Sequence, residues 1–120
     1  MPTEVEDDRV ELRPELREPE VPPELLTELY EEHRQAAFPR RLYVDDANGV
    51  EMVSLDSNVS GCVHTWLSNG GGIDDWRWDV LADCEQRLNR AIPALDGYEA
   101  SYYQRLLDMT VLILENSAGT

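Results

Sequence analysis

The densest chemistry in the chain lies in Cys62-Val63-His64-Thr65-Trp66. A thiol beside an imidazole is the start of a nucleophile–base pair or of a metal site. On a strand, residues two apart share a face, so Cys62, His64 and Trp66 would point the same way. The pair lacks an orienting acid and sits on no nucleophile elbow, and a packed strand face explains it more simply. Metal binding needs three or four ligands. Cys62, His64 and Cys84, with His33 or Asp83, fit no CxxC or HxxxH spacing, so no metal is expected. Asn69-Gly70-Gly71-Gly72 has the outline of a phosphate cradle but no Lys-Ser/Thr ending, and Asp74 and Asp75 place negative charge where an anion would sit. No carboxylate pair stands out from the acidic background. No catalytic residue and no cofactor is expected, and a non-enzyme is the preferred reading. A small enzyme or metal site built on Cys62 and His64 is the alternative.

A second constellation is Asp74-Asp75-Trp76-Arg77-Trp78-Asp79. On a helix Trp76 and Trp78 lie about 200° apart, so they cannot both face a core. An exposed indole ringed by carboxylates has the character of an interface anchor, which meets Arg or Lys with both ring and charge. The plainer reading packs Trp76 on a loop or a sheet edge.

The elements that would position these residues follow from periodicity. Pro23 suits the first turn of a helix that runs to Pro39, with Leu25, Leu26, Leu29, Tyr30, His33 and Ala37 on its apolar face. Arg41–Asp45 reads as a strand, Asn48-Gly49 as a hairpin turn, Val50–Leu55 as the return strand, and Gly61–Leu67 as a third. Asp74 caps a helix over Asp75–Ile92, with Cys84, Leu88 and Ile92 inward. Asp96 and Glu99 open a last helix over Asp96–Glu115 as a capping box, and Leu106, Met109 and Ile113 belong to the core. The expected class is α+β, in the order α-β-β-β-α-α: a helix, a three-stranded antiparallel meander and a two-helix hairpin. Residues 1–22 are an acidic, proline-rich tail, 23–116 a single domain and 117–120 a frayed end. Three helices cover one sheet face easily. The face carrying Tyr43, His64 and Trp66 is therefore expected to be partly open, a patch for a partner or a second copy.

Charge bounds the function. The 120 residues carry a formal charge of −15 with a pI near 4.2. Nucleic-acid phosphates and anionic membranes would be repelled, so neither is an expected partner. All ten basic residues are Arg. Two cysteines are too few for a secreted disulfide framework, and MPTEVEDDR has no signal-peptide character, so a cytoplasmic protein is expected. The preferred function is a small acidic, non-catalytic domain that engages the basic surface of a protein partner, as immunity proteins, antitoxins and inhibitors do. A nucleic-acid mimic that inhibits a DNA-binding enzyme, or an assembly subunit, is an alternative. Interface candidates are Tyr43, His64, Trp66, Asp74, Asp75, Trp76, Trp78 and Asp79.

Overall fold

A computed structural model of the protein describes residues 23–117. The expected tail over 1–22, and residues 118–120 of the expected frayed end, lie outside the described residues. Four helices make the fold: α1 (Pro23–Gln35), α2 (Met52–Ser68), α3 (Asp75–Ala91) and α4 (Gly97–Ser117). Short 3-10 turns at Arg40–Tyr43 and Ile92–Ala94 join them.

The α+β expectation is wrong: among the described residues there is no strand, and the three-stranded meander is replaced by a 3-10 turn, a tight turn and α2. Within α2 the buried residues are Met52, Leu55, Val59, Cys62, Val63 and Trp66. Those steps of three and four lay one stripe along a helix. Glu51 starts it: its carboxylate accepts the amides of Val53 at 2.8 Å and Ser54 at 3.1 Å. Bonds from Ser54 and Val53 hold the Glu51 carboxyl below its ordinary range. Val53, Val59, Val63, Thr65 and Gly61 are poor helix formers, and they disguised the period. Packing against the other helices overrides them.

The Asn48-Gly49 turn forms as expected, with φ of 48° and 80°. Ala47 and Val50 exchange two backbone bonds, of 3.0 and 2.9 Å, but no strands extend from them. The turn instead plugs the bundle. Ala47 and Val50 are buried, and the Asn48 side-chain amide donates to the Arg90 carbonyl at 2.9 Å. This pins the connection between α1 and α2 to the end of α3.

Side-chain pairs fix the directions. His33 meets Asp56 and Tyr30 faces His64, so α1 and α2 run antiparallel. Cys62 lies by the Arg77 carbonyl, and the short link through Ile92–Ala94 turns α3 back into α4. The result is an up-down-up-down bundle. Helix α4 packs on all three others. Its Tyr102, Tyr103, Leu106, Met109, Thr110 and Ile113 are buried, and Leu88 and Cys84 lie inward on α3, as expected. The expected capping box does not use Glu99 as its reciprocal arm. Both Glu99 oxygens bind Arg41, at 2.7 and 3.0 Å, tying the 3-10 turn to α4.

One pole of the bundle therefore gathers the end of α1, the 36–51 connection, the end of α3 and the start of α4. The opposite pole gathers the end of α2, the glycine loop and the start of α3.

Candidate protein-interaction face

The start of α3 is built by its cap. Asp74 accepts the Arg77 amide at 3.1 Å and pairs with the Arg77 guanidinium at 2.7 Å. That guanidinium then lies over the Trp76 ring, 4.9 Å from its centroid. Leu81, Cys84, Leu88 and Ala91 are buried on the inner side of α3. Trp78, one turn before Leu81, is drawn to the same side and packs against the core while staying partly exposed. Trp76 is turned away and is 61 % exposed. Asp75 and Asp79 are exposed beside it, and neither has an ion-pair partner among the described residues. One turn on, Asp83 pairs with Arg87 at 2.8 Å. The face thus joins an indole, held flat by a neighbouring cation, to two uncompensated carboxylates. The expected helix cap, the exposed Trp76 and the three aspartates come together here.

The other sequence candidates do not join them. Trp66 is 3 % exposed, so the open sheet face that was to carry it does not exist. Its ring lies under Gly71, where an added Cβ would sit 3.5 Å from the indole, and the Gly71 amide bonds the Trp66 carbonyl at 2.9 Å. Gly71 takes a φ of 112°, a backbone form that suits glycine. His64 is exposed, 6.3 Å from the Tyr30 ring and 3.5 Å from the Ser68 hydroxyl. It lines a shallow groove of about 490 Å³ with Thr27, Tyr30, Arg34 and Leu67. Tyr43 is 63 % exposed, but it stands at the opposite pole.

Cys62 and His64 are not a facing pair. On a helix a two-residue step is about 200°, which buries Cys62 and leaves His64 in solvent. Both thiols are free and buried. Burial pushes the Cys62 thiol up, and burial, with Cys62 and Asp83 adding, pushes Cys84 up to about 11. Among the described residues no group of three or more His, Cys, Asp or Glu could hold a metal ion.

A buried polar cluster escaped the sequence reading. Asp56 accepts from Tyr102 at 2.7 Å, from Ser60 at 3.1 Å, and lies 2.8 Å from His33 Nε2. His33 is 6 % exposed, and its Nδ1 has no partner. Burial would raise the Asp56 carboxyl, but the bonds from His33, Tyr102 and Ser60 outweigh it and hold it below the usual range. Burial and the Asp56 carboxylate push the Tyr102 hydroxyl up, so Tyr102 stays a donor. None of the three lines the groove beside His64. The cluster ties α1, α2 and α4 together from within. Its signal in the sequence was Asp56 itself, the one acid in the seventeen-residue α2.

No protein-family model matches the chain, and no curated protein or solved structure matches it either.

Proposed function

We propose that the protein is a small, non-catalytic acidic binding domain that engages a basic surface of a protein partner through the first half of α3. The observation that carries this reading is Trp76, 61 % exposed between Asp75 and Asp79. A partner Arg or Lys can stack on the indole and pair with the carboxylates in one approach. A formal charge of −15 steers such a partner over a distance and speeds encounter more than it tightens the complex. Immunity, antitoxin and inhibitor proteins are the functional classes this profile fits. The expected compartment is the cytoplasm, in keeping with two buried free thiols. No helix among the described residues is long and apolar enough to cross a membrane.

The test is capture from a lysate of the native host with the wild-type chain and with Trp76→Ser as parallel baits, read by mass spectrometry. A basic protein held by the first and lost by the second is the expected result. Equal capture by both baits would remove α3 as the interface.

A further inference from the structure

The pole opposite the acidic face has a different surface. The 3-10 turn Arg40–Tyr43 presents Tyr43 and Val44, 63 % and 84 % exposed, and the start of α4 adds Tyr98 at 53 %. Phe38 links them: its ring lies 4.5 Å from Tyr43 and 5.7 Å from Tyr102, which in turn lies 6.1 Å from Tyr98. The Tyr98 hydroxyl donates to the Ala37 carbonyl, which fixes the arc in place. Of the five large hydrophobic side chains exposed among the described residues, three are here.

The charges at this pole are mixed. Arg41 is neutralised by Glu99 and Asp45. Arg40 and Asp46 are both exposed, a few residues apart, and neither has an ion-pair partner among the described residues. A surface that meets a copy of itself about a two-fold axis must be complementary to itself. An apolar centre flanked by one free cation and one free carboxylate meets that condition. The α3 face does not, because two copies of it would set aspartate against aspartate.

We propose that this pole is a self-association surface, where a second copy of the chain docks with Tyr43 and Val44 at the centre and Arg40 of each copy toward Asp46 of the other. The apolar side chains supply the contact area and the crossed charges set the register. The acidic α3 faces then lie at the two far ends of the dimer, free for partners.

Sedimentation equilibrium on the full chain, over a wide concentration range, tests the proposal. Val44→Asp, Arg40→Asp and Asp46→Arg all change exposed positions, so unchanged helical circular dichroism checks that each variant is folded. Each should raise the dimer dissociation constant by roughly tenfold or more. Mixing Arg40→Asp with Asp46→Arg restores opposite charges at both contacts, and the mixture should dimerise where each alone does not. A chain that stays monomeric throughout, or a dimer indifferent to all three substitutions, would overturn the proposal.

Discussion

Tyr102 on α4 donates a 2.7 Å hydrogen bond to Asp56 on α2, inside the bundle and beside the imidazole of His33 on α1. Three helices that share no local sequence are registered by one carboxylate. Asp56→Ala would leave a buried hydroxyl and a buried imidazole without their acceptor. The expected cost is about 1.5–3 kcal/mol, read by urea denaturation near neutral pH.

The same carboxylate sets an acid limit. Its folded-state pKa lies below its unfolded value, so its contribution is complete above the ordinary Asp value of about 3.9 and is lost as pH falls through the folded value. Stability of the wild type and of Asp56→Ala, measured by urea melts down the pH scale, should converge in acid. A gap that stays constant below that range would show that the carboxylate charge is not what the cluster uses.

The core of α4 is expected to respond as a packed interior. Ile113 and Leu106 are fully buried. Ile113→Ala or Leu106→Ala should each cost roughly 2–5 kcal/mol in thermal or chemical unfolding.

How much of this was legible depended on how strongly each segment declared its period. Leu106, Met109 and Ile113 repeat at helical spacing among good helix formers, and α4 was plain. Asp74 marked the start of α3 correctly, and the opposed angles of Trp76 and Trp78 foretold that one indole would be left out. The middle of the chain misled for a physical reason. Asn48-Gly49 does adopt hairpin-turn angles. Beside it, the β-branched residues of α2 made a strand reading locally consistent. Only the non-local burial of Met52, Leu55, Val59 and Trp66 against α3 and α4 decides for helix, and local propensity does not contain that. The Asp56 cluster was hidden for the same reason: a turn reading placed Asp56 in solvent, and only a helix turns it inward.

The two thiols give an independent check on α2. With Cys62 and Cys84 both buried and their thiols pushed up by burial, native protein should react slowly with a thiol reagent near neutral pH. Two equivalents should be taken up once denaturant is added. Rapid labelling of Cys62 in the native state would contradict the inward face assigned to it.

Trp76 should behave as an interface residue and not as a core residue. Trp76→Ala is expected to change folding stability by no more than about 0.5 kcal/mol, since the ring is largely exposed. For a captured partner it should cost about 2 kcal/mol or more of binding free energy by titration calorimetry. Raising the salt concentration should slow association more than it speeds dissociation.

Carboxylate footprinting tests the interface assignment most directly. The exposed acids of the free chain and of the partner-bound chain are modified with a carbodiimide and an amine, and each site is quantified by mass spectrometry. The account expects Asp75 and Asp79 to lose most of their labelling in the complex, while Asp46, at the far pole, is no better protected by the partner than in the free chain. Asp75 and Asp79 labelled equally in both states, with protection elsewhere, would contradict it.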